Sequence, residues 1–201
     1  MSKKILLYTL CFLFLTSCVD RKYEDGLTIN KIENGIIYTA DERQIPLKPK
    51  GYENATVIAL ARHTEAIPDQ ENPGLSDQGL ERADRLAAVL LPLGIQEVYM
   101  TSLKRTIFTA RPLAMPNNIK VFTYDTSEYE KVITRIMDNY SGQHVAIYGH
   151  SNTTPAIINL LIGEEKYVDI PHDEYDNLFL VFHNGEDSEG ITDAIVYQFK
   201  Y

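Results

Sequence analysis

The sequence predicts an α/β fold, a three-layer sandwich with a mostly parallel central sheet and a small N-terminal β-hairpin. Three features carry that reading. From about residue 54 onward, short apolar runs alternate with longer stretches of helical periodicity. Two of the runs, Ala55–Ala61 and His144–Tyr148, are apolar nearly throughout, as strands covered on both faces are. The runs then end in polar and charged residues, at the edge where open α/β sheets hold their ligands.

The chain has 201 residues, 44% hydrophobic and 23% charged, which suits one ordinary globular domain with a sizeable core. Its net charge of −9 argues against a nucleic-acid partner. A small anionic substrate would need a local basic cluster that outweighs this field.

The first residues read as a targeting segment. Lys3 and Lys4 precede an apolar stretch, Ile5 to Leu15, that is too short to span a bilayer. Leu15-Thr16-Ser17-Cys18 then resembles a bacterial lipobox. The expectation is a signal peptide over residues 1–17 and a lipid anchor on Cys18. That would hold the protein in the bacterial cell envelope, at a periplasmic or outer-membrane face. Cleavage there would remove two lysines and no acid, moving the net charge from −9 to −11. It would also remove Cys11, leaving Cys18 as the last cysteine, so no disulfide framework, thiol nucleophile or cysteine-ligated metal would be available.

In order along the chain, Val19–Gly26 reads as a tether. Leu27–Ile32 and Ile36–Tyr38 flank Asn34-Gly35, a strong local hairpin signal. Residues 39–53, with Pro46, Pro49 and Gly51, read as a linker, and 54–201 as the main domain. There, Ala55–Ala61 is the first strand. Ser76 caps a helix with Leu80, Ala83, Leu86, Ala87 and Leu90 on one face, ended by Pro92 and Gly94. Glu97–Thr101 is a strand, and Leu103–Leu113 a helix with Ile107, Ala110 and Leu113 inward. Lys120–Tyr124 is a strand. Glu128–Tyr140 is an amphipathic helix with Tyr129, Val132, Ile133, Ile136 and Tyr140 on one face, stopped by Ser141-Gly142. After His144–Tyr148, Thr154 caps a helix with Pro155 first and Gly163 past its end. Leu178–His183 and Ala194–Phe199 close the domain as strands.

Three strand ends carry chemistry-bearing residues. Arg62-His63 follows the first strand, Ser102-Leu103-Lys104-Arg105-Thr106 the second, and Gly149-His150-Ser151-Asn152 the strand at 144–148. In a parallel sheet these ends share one edge, so two arginines and two histidines converge. That set suits a phosphoryl group. Arginine forks grip its oxygens, one neutral imidazole attacks phosphorus, and a second stabilises the developing charge.

At these residues the chain resembles the histidine phosphatase superfamily, also called phosphoglycerate-mutase-like. The resemblance runs over about residues 54–201. It rests on Arg62-His63-Thr64-Glu65, on Leu75-Ser76-Asp77-Gln78-Gly79-Leu80-Glu81-Arg82-Ala83, on Ser102-Leu103-Lys104-Arg105-Thr106 with Thr109-Ala110, and on Gly149-His150-Ser151-Asn152. It implies a phosphomonoesterase that acts on a small phosphorylated substrate without metal or cofactor. His63 would be phosphorylated, and Arg62, Arg105 and His150 would bind the phosphoryl oxygens. Glu65 and Asn152 would join in substrate binding, Glu65 by orienting Arg62 or a neighbour. Thr64 departs from the glycine of the family pattern.

A carboxylic acid would protonate the leaving oxygen, but the family's Leu-Arg-Glu context is missing. Tyr124-Asp125-Thr126-Ser127-Glu128 stands in its place. Asp125 is the choice, ahead of Glu128 and Glu130, although each also suits a helix N-terminus. His144, His172 and His183 read as structural, and residues 171–177 either rim the pocket and help choose substrate or, the preferred reading, form a plain solvated connection. Two alternatives stay open: a mutase using the same phosphohistidine, and a non-catalytic domain that kept the phosphate pocket. Substrate identity and oligomeric state are not encoded in any pattern found.

Overall fold

The computed structural model describes residues 26–186 and 192–201. The signal segment and Cys18 lie outside these residues.

The first strands lie at Leu27–Glu33 (β1), Ile36–Thr39 (β2), Gln44–Pro46 (β3) and Thr56–Arg62 (β4). Helix α1 (Asp77–Leu90) leads through a 3₁₀ turn into β5 (Glu97–Met100), α2 (Lys104–Ala114) and β6 (Lys120–Thr123). Then come α3 (Tyr129–Asn139), β7 (His144–Gly149), α4 (Thr153–Ile162), β8 (Asn177–Glu186) and β9 (Thr192–Lys200).

The nine strands of the described residues join one sheet in the order β3-β2-β1-β9-β8-β4-β7-β5-β6. The β4-β7-β5-β6 half is parallel, whereas β8 runs antiparallel to both β4 and β9. The sheet is therefore mixed, and parallel where the candidate site lies. The hairpin is not an appendage, because β1 pairs in parallel with β9. Residues 39–53, expected as a linker, contain β3, which pairs antiparallel with β2. A three-residue edge strand ending in Pro46 is too short to leave a periodic signal, and an edge is where proline is tolerated.

Strand periodicity builds the layers. Val57, Ala59 and Ala61 pack with Leu86 and Leu90 of α1 and Leu113 of α2. Ile58 and Leu60, on the opposite face, pack with Ile136 of α3 and Ile157 and Ile158 of α4. Every residue of β4 is buried, which is why its sequence does not alternate.

Two helix starts differ from expectation. Ser76 does cap α1, its hydroxyl accepting from the Gly79 amide at 3.1 Å. The Ser76 amide also donates to the Glu65 carbonyl at 2.9 Å, drawing the first turn against that chain. A Cβ on Gly79 would sit 2.1 Å from the Glu65 oxygen, so the glycine takes the inward position and Leu80 turns outward, 46% exposed. At α4 the cap residue is Asn152 rather than Thr154, and it makes no side-chain bond. Thr153 does the local work instead, its hydroxyl accepting from the His150 amide at 2.9 Å.

Candidate active site

The register of the parallel strands places the site. Arg62 is the last residue of β4 and pairs with Gly149, the last of β7, while Met100 at the end of β5 pairs with Tyr148. His63, His150 and Thr101 each follow directly. The His63 amide donates to the Gly149 carbonyl at 3.0 Å, extending the ladder one step. Arg62, His63, Arg105 and His150 thus line one cleft of about 430 Å³ with Leu103, Thr126, Ser151, Asn152, Thr153 and His172.

Each ring and fork is held by a specific contact. His63 Nδ1 lies 2.8 Å from the Thr64 carbonyl. A carbonyl only accepts, so Nδ1 carries the proton and Nε2 keeps its lone pair. Among the described residues, Nε2 has no hydrogen-bond partner. His63 and His150 face each other edge-on, with ring centroids 5.5 Å apart.

A chain of hydroxyls fixes His150. Thr106 Oγ1 donates to the Leu103 carbonyl at 2.8 Å, so it accepts from Thr101 Oγ1, also at 2.8 Å. With its proton used there, Thr101 Oγ1 accepts from His150 Nε2 at 3.1 Å. His150 therefore turns Nδ1 toward Arg105, whose Nη2 lies at 3.5 Å.

Arg62 is gripped at one end. Its Nη1 donates to the carbonyls of Pro171, His172 and Glu174 at 2.9, 3.1 and 3.1 Å. The Tyr175 ring stacks on the guanidinium at 4.1 Å. Among the described residues the buried Nε has no hydrogen-bond partner, an unmet donor at the edge of the cleft.

Burial and the cationic surroundings set the protonation states. Burial, followed by the charges of Arg62, Arg105 and His150, pushes His63 down to about 3 despite the opposing Thr64 bond. Burial and then Arg105 and Arg62 push His150 down to about 4. Both rings are neutral at pH 7. The site is a cationic fork set around a neutral imidazole, suited to receive an anion.

Not every residue singled out in the sequence joins the cleft. Asn152 does. Glu65 does not line it: its carboxylate takes a bifurcated bond from Arg82 Nε at 2.8 and 3.0 Å. Asp125 is exposed and does not line it either. It accepts from the Ser127 amide and hydroxyl at 2.8 and 2.6 Å, a turn cap for which Asp and Ser at i and i+2 are well suited. Glu128 pairs with Lys131 on the surface. Thr64, the departure from glycine, is fully buried and points away. Its hydroxyl donates to the Gly79 carbonyl at 2.8 Å, and its amide donates to Thr109 Oγ1 at 3.0 Å. Among the described residues no group of three His, Cys, Asp or Glu side chains could hold a metal, and no helix is long and apolar enough to cross a membrane.

Residues 171–176 overturn their reading as a plain connection. This loop supplies the carbonyls and the aromatic ring that hold Arg62, and His172 lines the cleft. The alternative of a pocket rim is the one that fits, although the sequence singles out neither Tyr175 nor His172 as a site residue. Their signal was a Tyr and a His beside the start of β8, without periodicity.

Residues 58–127 match the family model described as "Histidine phosphatase superfamily (branch 1)". No curated protein matches the chain by sequence. Among solved structures, YhfR of Bacillus stearothermophilus is similar with a TM-score of 0.56 and 14% identity, covering 71% of this chain and 96% of its own. A mycobacterial glucosyl-3-phosphoglycerate phosphatase has a TM-score of 0.57 and 11% identity, over 72% of this chain and 99% of its own. A protein named mycobacterial hydrolase 2 has a TM-score of 0.59 and 12% identity, over 73% and 91%. These likenesses establish the fold. The superfamily's own model matches the stretch that carries Arg62, His63 and Arg105.

Proposed function

We propose that the protein is a phosphomonoesterase that works through a phosphohistidine on His63. The observation that carries this is the His63 ring. Its Nδ1 proton is committed to a backbone carbonyl, and its Nε2 lone pair sits in a cleft with two arginines and a second histidine. The superfamily and the phosphatase named among the similar structures favour the same chemistry.

In this reading the guanidinium groups of Arg62 and Arg105 hold the phosphoryl oxygens. The lone pair of His63 Nε2 attacks phosphorus as the P–O bond to the leaving group breaks. His150 takes a proton on Nδ1 and donates to an equatorial oxygen, because a bound dianion offsets the charges that keep it neutral in the free site. Water then attacks phosphorus, the P–N bond breaks with its electrons returning to Nε2 of neutral His63, and inorganic phosphate is the product. No step calls on a metal. The lipobox-like Leu15-Thr16-Ser17-Cys18 supports anchoring of this domain at the cell envelope through Cys18.

The test is phosphate release from a panel of phosphomonoesters in metal-free buffer, with His63→Ala beside the parent. Trapping with ³²P-labelled substrate should yield an acid-labile, base-stable phosphoprotein in the parent alone. Phosphate binding without turnover would assign the domain a binding role instead, and an isomeric phosphoester product would make it a mutase.

A further inference from the structure

The cleft lacks an evident acid. Among the described residues that line it there is no aspartate or glutamate, and Asp125 and Glu128 are occupied elsewhere. Four of its titratable side chains, Arg62, His63, Arg105 and His150, are already assigned to the phosphoryl group. The fifth is His172.

His172 differs from an ordinary surface histidine in how its backbone is held. The loop around it is fixed from several directions. Arg62 Nη1 binds the carbonyls of Pro171, of His172 itself and of Glu174. The Ile170 amide donates to the Ser151 carbonyl at 2.9 Å, and the Glu174 amide closes a turn on the Pro171 carbonyl at 3.0 Å. Lys200 Nζ reaches Glu174 at 3.0 Å and Asp176 at 2.8 Å, and the Tyr201 hydroxyl donates to the Tyr175 carbonyl at 2.9 Å. All of these leave the imidazole of His172 unused, exposed at the cleft. A rigid backbone that presents one free titratable ring over a phosphate site is what leaving-group catalysis needs.

Resting on the phosphatase reading above, we propose that His172 is the general acid and base of the reaction. As the bond from His63 Nε2 to phosphorus forms and the bond to the leaving oxygen breaks, the His172 imidazolium gives its proton to that oxygen. The alcohol departs neutral, and His172 becomes a neutral imidazole. It then takes a proton from the water that attacks phosphorus, and the P–N bond breaks with its electrons returning to His63. Phosphate leaves and His172 is again protonated. An imidazole can both give and take a proton, so one ring can serve both half-reactions. The charged and titratable groups around it are Arg62, His63, Arg105 and His150 on the cleft side and Asp173 and Glu174 on its own loop, with Glu174 committed to Lys200 and Asn177.

The experiment compares an alkyl phosphate such as glycerol phosphate, whose alkoxide is a poor leaving group, with p-nitrophenyl phosphate, whose phenolate needs no proton. The variants are His172→Gln, Asp125→Asn and His63→Ala in the same chain. His172→Gln should lower kcat/KM for the alkyl ester by about 10²–10⁴-fold. Its rate of phosphoenzyme formation from the nitrophenyl ester should stay close to the parent's. Asp125→Asn should leave both substrates unchanged. Equal activity of His172→Gln on both esters overturns the proposal, as does selective loss of the alkyl ester in Asp125→Asn. Failure of the phosphatase reading is separate: the parent itself would form no phosphoenzyme, or His63→Ala would still form one.

Discussion

Two polar clusters lie at opposite ends of the parallel half-sheet, and they are built on opposite terms. At the start of β5, Glu97 is fully buried, yet it accepts from the hydroxyls of Tyr99 and Tyr140 and from Arg135 Nη2 at 3.3 Å. Arg135 also donates to the Tyr99 hydroxyl at 3.1 Å and lies over the Phe122 ring. Each partner answers another, and burial together with the Glu97 bond pushes the Tyr99 hydroxyl well above its ordinary range. Past the far end of the same strand, the cleft gathers two cations and two depressed histidines; among the described residues no carboxylate lines it and buried Arg62 Nε has no partner. An unmet buried donor costs on the order of 1–3 kcal/mol. A closed network therefore marks structure, and an open one marks a place made for a ligand.

The comparison breaks if the two clusters respond alike to the loss of a charge. The largest expected effect is on the open side. Among the described residues the Arg105 guanidinium makes one long hydrogen-bond contact, to His150 Nδ1 at 3.5 Å, so Arg105→Ala should hardly move the urea midpoint. It should lower kcat/KM by about 10²–10³-fold, the usual range for one lost transition-state donor. On the closed side, Glu97→Ala strands two tyrosine hydroxyls and should destabilise by roughly 2–4 kcal/mol in urea unfolding. Its kcat/KM per folded molecule should equal the parent's. A Glu97 variant that unfolds normally but loses turnover would erase the distinction.

The same contrast explains what could be read from the sequence. The open cluster follows from local signals: an apolar run cut off by Arg62-His63, and two more strand ends that share its edge in a parallel sheet. The four residues named there do stand together in the cleft. The contacts that hold them in place were illegible because they are made to backbone. Arg62 reaches carbonyls more than 100 residues away, and a carbonyl acceptor leaves no side-chain signature. His172 and Tyr175 passed as loop residues for that reason. Asp125 looked catalytic because a carboxylate after a strand near a site is ambiguous, and its geometry with Ser127 resolves it as a turn cap. Glu65 was rightly placed beside a cation, but that cation is Arg82 on α1, one of several arginines a sequence cannot rank. Leu80 failed on sterics, because only the close approach of Glu65 to Gly79 shows why α1 turns as it does.

The finest test of the open cluster is its response to acid. His63 lies at about 3 in the folded protein, against an ordinary 6.5 in the unfolded chain, and His150 at about 4. Between those limits the unfolded state binds protons that the folded state refuses. Stability should therefore be insensitive to these rings above pH 6.5 and fall as the pH drops below it. The slope approaches about 1.4 kcal/mol per pH unit for each ring. Urea unfolding between pH 6.5 and 5 isolates the effect, because carboxylates titrate mainly below that window. His144, also depressed by burial, adds a background common to parent and variant. His63→Gln removes one of the two cleft rings and should flatten the slope by about one proton's worth, making the variant relatively more stable at pH 5 than at pH 7. Orthovanadate should act in the same direction on the parent, since a bound anion offsets the arginine charges that hold both rings neutral. A parent and variant with parallel pH profiles would mean that His63 is not held neutral by its surroundings, and the cleft would lose its resemblance to a site waiting for a dianion.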